Sequence, residues 1–216
     1  SATTSCATTL LASTRSTPRL LPTQAERVAA SDRALLEAAV DLIAERGYER
    51  TTLALIGERA GYSRGLVTQR FGNKERLLWA VIRQILEQWS THSLSLRVDK
   101  VGVPALQAIL SAYLDACDRS PKHIKAYYAL LREADGPVAA VRDTIRKLHA
   151  TERSHIAALI RAGKVRADVD ADAEATAFLG VMRGVTMQWL LDPKAVDLVG
   201  TLTQYGVSLE RTLGAN

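Results

Sequence analysis

Apolar residues recur along this chain at intervals of three and four, with charged residues between them. Leu35, Ala39, Leu42 and Ile43 share one helical face, while Arg33, Glu37, Asp41, Glu45 and Arg46 fall mostly elsewhere. Ser31 suits the N-cap of that helix and Gly47 its stop. Two short helices fit 53–60 and 64–71, capped by Thr51 or Thr52 and by Ser63, with Gly61 between them. A fourth starts near Asn73 and runs past Trp89, its apolar face formed by Leu78, Val81, Ile82, Ile85 and Trp89. The run from Asp99 to Pro104 breaks the pattern. Further helices are predicted over about 104–118, 121–134, 137–163, 172–191 and 194–213, with Pro121, Pro137 and Pro193 at the joints. No stretch keeps a period of two. The expectation is an all-α fold of about nine helices with no sheet.

Residues 1–25 differ from the rest. They are rich in Ser and Thr, hold two prolines and no acidic residue, and read as a disordered N-terminal arm. Arg15 and Arg19 in it could touch phosphates. The remainder divides into 26–73, a compact three-helix head, and 74–216, a larger helical domain.

Composition adds limits. A hydrophobic fraction of 47% supplies a core, and a net charge of +5 permits an anionic partner without requiring one. The two cysteines, Cys6 and Cys117, form no framework, which suits a reducing cytosol. No apolar run approaches the roughly 18–20 residues of a membrane span. A cytoplasmic protein is expected.

The segment from Ala39 to Leu78 carries the chemistry. Gly61-Tyr62-Ser63 is short enough to force a sharp angle between the two short helices, and Gly61 suits a left-handed turn. Ala60 is small where the helices must cross. Ile56 and Val67 can pack across that crossing against Leu35, Leu42 and Phe71. The second short helix is then expected to present Arg64, Thr68, Gln69 and Arg70 outward, side chains suited to phosphates and base edges. Gly65 leaves room for the backbone to approach a groove. Lys74 stands near the next helix N-terminus, where charge and backbone N–H groups can both meet a phosphate.

Gly47-Tyr48, Thr51-Thr52, Ile56, Ala60-Gly61-Tyr62-Ser63, Gly65, Phe71, Lys74 and Leu77 together resemble the signature of the TetR family of bacterial regulators. The resemblance implies a helix-turn-helix, a long fourth helix joining it to the core, dimerisation through the last two helices, and repression rather than activation. It departs at Thr68, where the family usually has Tyr, and at Arg70, where it usually has His or another aromatic. Carried over by position, the DNA contacts are Thr52, Arg64, Gly65, Thr68, Gln69, Arg70 and Lys74.

In the C-terminal half, Ala173, Ala177, Gly180 and Gly184 make a small-residue stripe, and Leu198, Leu202, Tyr205, Leu209 and Leu213 an apolar one. Both are expected at a homodimer interface, with Ala177, Gly180, Gly184, Leu198, Leu202, Tyr205 and Leu209 at its centre. Trp89, His92, Tyr113, Cys117, Tyr127, Met182 and Trp189 are candidates to line a pocket for a small apolar effector. Such a ligand would wedge between the middle helices, tilt helix four and move the two reading heads off successive grooves of a palindromic operator.

An enzyme is the rival class. His92, His123, His149 and His155 lack zinc-type spacing, and no nucleophile elbow or phosphate loop stands at a strand-to-helix turn. Glu152 and Arg153 read as a solvated helix face. No cofactor or metal is expected. A DNA-binding regulator without a small-molecule ligand shares the same head and dimer and is the second alternative.

Overall fold

The protein is described from a computed structural model covering residues 23–97, 99–132 and 139–215, with side chains at 88–97, 139–141 and 144 not described. Most of the expected arm, residues 1–22, lies outside the described residues. Among those described, the chain forms helices α1 (Gln24–Arg46), α2 (Leu53–Ala60), α3 (Arg64–Phe71), α4 (Lys74–Arg97) and α5 (Gly102–Arg119). There follow α6 (Pro121–Arg132), α7 (Ala139–Ala162), α8 (Ala171–Leu191) and α9 (Leu198–Leu213). No strand occurs among the described residues; a single bridge joins Val165 to Gly214.

The first helix begins at Gln24, not at Ser31. Thr23-Gln-Ala-Glu26 closes a capping box: the Thr23 hydroxyl accepts from the Glu26 N–H at 3.2 Å, and the Glu26 carboxylate accepts from the Thr23 N–H at 2.6 Å. Ser31 is instead a buried mid-helix residue whose hydroxyl donates to the Val28 carbonyl.

In the head, Thr52 and Ser63 cap α2 and α3 through hydroxyls that accept from the Leu55 and Leu66 N–H groups. Gly61 ends α2 in the left-handed conformation, with φ at 77°. Ile56 and Val67 are buried where α2 and α3 meet Leu35 and Leu42 of α1. The close approach is carried by Gly57, not Ala60. A Cβ on Gly57 would stand 2.7 Å from the Tyr62 carbonyl oxygen and 3.2 Å from the Arg64 nitrogen. Arg59 then fastens α2 to α1 with two 2.8 Å hydrogen bonds to Glu45.

One continuous core runs from Ile56 and Val67 in the head to Phe178 and Leu202 in the far helices. Helices α1, α5 and α7 each pack on several others, and α4 joins the head to α5, α6 and α7. The leucine stripe of α9 faces inward. Leu198, Leu202, Leu209 and Leu213 are all buried within the chain, and Tyr205 is half-buried with its ring 6.0 Å from that of Phe178. Gln107 of α5 donates to the Gly206 carbonyl across this seam. These leucines therefore build the subunit's own core, and the expectation that they form the face between subunits is corrected. The small-residue stripe of α8 is the exposed one. Ala173, Ala177, Gly180 and Gly184 lie at the surface, opposite buried Phe178, Leu179 and Met182.

Candidate DNA-reading surface and effector cavity

Helix α3 turns about 100° per residue, so Arg64, Gly65, Thr68 and Gln69 share one face and Leu66, Val67 and Arg70 fall on the other. The first four are exposed and Val67 is fully buried. Thr68 also donates to the Arg64 carbonyl, which settles its hydroxyl on the helix. Gly65 faces open space: a Cβ there would meet only the Ser63 hydroxyl, at 3.6 Å. Thr52 is exposed at the α2 N-terminus.

Lys74, in the first turn of α4, is half-buried. Its ammonium donates to the Glu49 carbonyl at 3.0 Å and lies 4.0 Å from the centre of the Tyr48 ring, which holds it against the turn between α1 and α2. Asn73 caps α4 by accepting from the Arg76 N–H at 2.8 Å.

Arg70 departs from the expectation of an outward side chain. It falls on the side of α3 away from the exposed face, beside Val67, and its Nε lies 3.4 Å from Asp32 of α1. Arg70 thus ties the reading helix to its support. The pair is partly solvent-exposed, so its stabilising effect is small.

A cavity of about 310 Å³ opens between α4, α5, α6, α7 and α8. Its wall is mostly apolar, including Leu86, Ile109, Leu148, Ile156, Leu179 and Met182. Tyr113, Tyr127 and Met182 line it as expected from the sequence, whereas Cys117 and Trp189 do not. Trp89 and His92 sit on α4, but their side chains lie outside the described residues. Cys117 is buried among core side chains, and burial pushes its thiol up to about 12, so the thiolate is suppressed.

The polar part of the wall was not anticipated. Arg183 of α8 forms an ion pair with Glu152 of α7, and both lie on the cavity with side chains 21% and 29% exposed. Glu152 therefore does not belong to a solvated face. Burial raises its carboxyl above the usual range, while Arg183 and Arg153 pull the other way. Tyr113 donates to Thr186 at 2.8 Å and sits 3.0 Å from the Tyr128 hydroxyl. Burial raises the Tyr113, Tyr127 and Tyr128 hydroxyls, keeping all three neutral. His155 and Thr151 complete the polar wall.

His149 lies 3.5 Å from the Tyr127 hydroxyl, and burial, with Arg183 and Arg153 nearby, lowers its imidazole to about 4. Between about pH 6.5 and 4 the unfolded chain binds a proton here that the folded chain does not, so this group costs stability as pH falls through that window. We expect the melting temperature of His149→Gln to fall less than that of the unaltered protein between pH 7 and pH 4, in parallel thermal melts. Parallel curves would contradict a buried neutral imidazole.

A separate polar cluster joins α1 to α4 and α6. Lys122 of α6 bridges Glu37 and Asp41 of α1 at 2.8 and 3.0 Å, and Gln84 of α4 donates to Glu37 at 2.6 Å. Burial opposes ionisation of Glu37, but Lys122, His123 and Gln84 outweigh it and hold the carboxyl below its ordinary range. Among the described residues no helix is long and apolar enough to cross a membrane.

Comparison with known proteins agrees with this arrangement. The model for bacterial regulatory proteins of the tetR family matches residues 35–81, and that for the C-terminal domain of BetI-type transcriptional repressors matches 104–213. The HTH-type transcriptional regulator TtgR of Pseudomonas putida is 29% identical over 182 residues, covering 79% of this chain and 85% of TtgR. A complex of SmeT with triclosan superposes with a TM-score of 0.73 at 21% identity, covering 87% of this chain and 93% of SmeT. SmeT is the repressor of the Stenotrophomonas maltophilia multidrug efflux pump SmeDEF. A transcriptional regulator from Saccharomonospora viridis in complex with choline gives 0.75 at 20% identity, covering 87% of this chain and all of that one. With a reading head and a C-terminal half that each match this lineage, the chain belongs to the TetR family and is a DNA-binding transcriptional regulator.

Proposed function

We propose that this regulator is a homodimeric repressor that leaves a palindromic operator when a small, largely apolar effector fills the cavity. The observation that carries this reading is the position of α4. Lys74 stands in its first turn against the turn between α1 and α2, and Leu86 stands farther along the same helix in the cavity wall, about 18 Å away along the axis. A ligand that prefers one position of α4 therefore biases the position of the head, by as much as its affinity differs between the two states. That SmeT is crystallised with triclosan and the Saccharomonospora viridis protein with choline supports small-molecule control of this chain as well.

The head comprises α1 to α3, and α4 to α9 form the effector and dimerisation domain. Thr52, Arg64, Gly65, Thr68, Gln69 and Lys74 contact DNA, with Arg70 holding α3 in register from behind. The dimer forms through the exposed α8 stripe, Ala177, Gly180 and Gly184, with Val199 and Val207, exposed on α9, as further apolar contacts.

Fluorescence anisotropy with labelled DNA flanking the protein's own gene tests this. Replacing Arg64 or Lys74 with Ala is expected to weaken binding and reduce the slope of log affinity against log salt by about 0.9 if each neutralises one phosphate. Unchanged slopes in both variants would remove them from the phosphate contacts. Addition of triclosan or of other apolar compounds that raise the melting temperature should weaken operator binding. A compound that fills the cavity and leaves operator affinity unchanged would contradict effector control.

A further inference from the structure

The Glu152–Arg183 pair lies in the cavity wall. Around it lie apolar groups from four helices, including Leu86, Ile109, Leu148, Ile156 and Met182. Among the described residues lining the cavity, Glu152 is the one carboxylate and Arg183 the one guanidinium, and they already bind each other. The Tyr127 hydroxyl lies against the same guanidinium. The other tyrosines satisfy each other through the Tyr113, Tyr128 and Thr186 chain. Arg153 sits beside Glu152 and lends it a further positive field. His149 is neutral, since its imidazole titrates at about 4.

A carboxylate ligand could take Arg183 only by drawing it from Glu152, which brings a second negative charge into a half-closed apolar site. A cationic ligand could take Glu152 only by stranding Arg183. Both leave one charge uncompensated where water is scarce, which is the costly arrangement. A hydroxyl costs neither. It donates to a free lone pair of the Glu152 carboxylate and accepts from one of the remaining guanidinium N–H groups, and the pair stays intact.

Resting on the reading of this cavity as the effector site, we propose that its ligand is a neutral apolar molecule bearing a hydroxyl or phenol, and that the Glu152–Arg183 pair sets this specificity by excluding charged head groups. The pair acts as a filter for charge, and the apolar wall supplies affinity by burying the rest of the molecule.

The test uses three probes of matched body: p-propylphenol, p-propylbenzoate and p-propylphenyltrimethylammonium. Their binding to the full chain is measured by titration calorimetry at pH 8, where the phenol probe is neutral and the other two probes are charged. The protein is expected to bind the phenol at least about tenfold more tightly than either ion. Glu152→Gln frees Arg183 and should shift the preference to the benzoate. Arg183→Gln frees Glu152 and should shift it to the ammonium. The double variant Glu152→Gln/Arg183→Gln, which leaves no charge stranded, should bind the phenol and gain neither ion, and it serves if a single variant fails to fold. Equal binding of an ion and the phenol by the unaltered protein would overturn the proposal. So would selectivity that none of the variants moves, or no binding of any probe by the unaltered protein. Operator anisotropy on the same samples separates the two readings. Binding with the expected selectivity but no release of DNA leaves the ligand class standing and removes effector control.

Discussion

Gly57→Val is expected to disable the reading head. The new Cβ would press on the Tyr62 carbonyl at 2.7 Å, a contact with backbone that no rotamer change relieves. Overpacking of this kind costs about 1–3 kcal/mol. For a chain of this size that corresponds to a fall in melting temperature of roughly 2–12 °C. DNA affinity should fall by more than the loss of folded protein explains, because the turn that aims α3 must open. Gly65→Ala supplies the contrast. Its Cβ enters open space on an exposed helix face, so the melting temperature should hold or rise slightly, since alanine favours helix over glycine by about 0.5–1 kcal/mol. Loss of operator affinity in Gly65→Ala with full stability would mean that the backbone there approaches DNA. Full DNA binding by Gly57→Val would contradict the described crossing.

Phe178→Ala is expected to have the larger effect on stability. Phe178 is 1% exposed and is the largest fully buried side chain among the described residues, with its ring against Tyr205 of α9. Truncating such a ring costs about 3–5 kcal/mol through lost burial and the cavity left behind. That is a large part of the stability of a typical domain, about 5–15 kcal/mol. Thermal and urea melts of Phe178→Ala should show a lowered midpoint with loss of effector binding before loss of helix. Tyr205→Phe, which keeps the ring, should remain near the unaltered protein. A loss below about 1 kcal/mol for Phe178→Ala would mean that α8 and α9 pack differently from the arrangement described.

The head was largely legible in the sequence because its rules are local. Thr52, Ser63 and Gly61 act within one turn of themselves, and their roles follow from residue type and position. The start of α1 was equally readable, since Thr23 and Glu26 spell a capping box, but Ser31 offered a competing cap nearer the apolar pattern. Gly57 was missed because its neighbour is the backbone of the turn after α2, a contact that periodicity does not contain. The α9 leucines show the same limit. Their spacing established an apolar face but not whether α5 and α8 or a second subunit covers it. Arg70 could have been placed by counting 100° per residue from Thr68, which puts it behind the exposed face and not in it.

The cavity was half legible. Tyr113, Tyr127 and Met182 were found by type, since aromatic and thioether groups suit such walls. Glu152 was missed as part of it, although Leu148, Thr151, Glu152, His155 and Ile156 fall at the spacing of one helical face. A carboxylate on an apolar face is a signal of a buried partner. That the partner is Arg183 is a tertiary fact, fixed by how α8 crosses α7.

Selection of bound sites from random duplex DNA, read by sequencing, tests the central claim most directly. The unaltered chain should enrich a two-fold symmetric site whose half-sites lie a whole number of helical turns apart, roughly 34–36 Å for one turn. Gln69→Ala should relax the enriched sequence within each half-site, with its spacing kept. Failure to enrich any sequence, or an enriched site that Arg64→Ala and Gln69→Ala leave unaltered in sequence and affinity, would contradict the assignment of α3 as the reading helix.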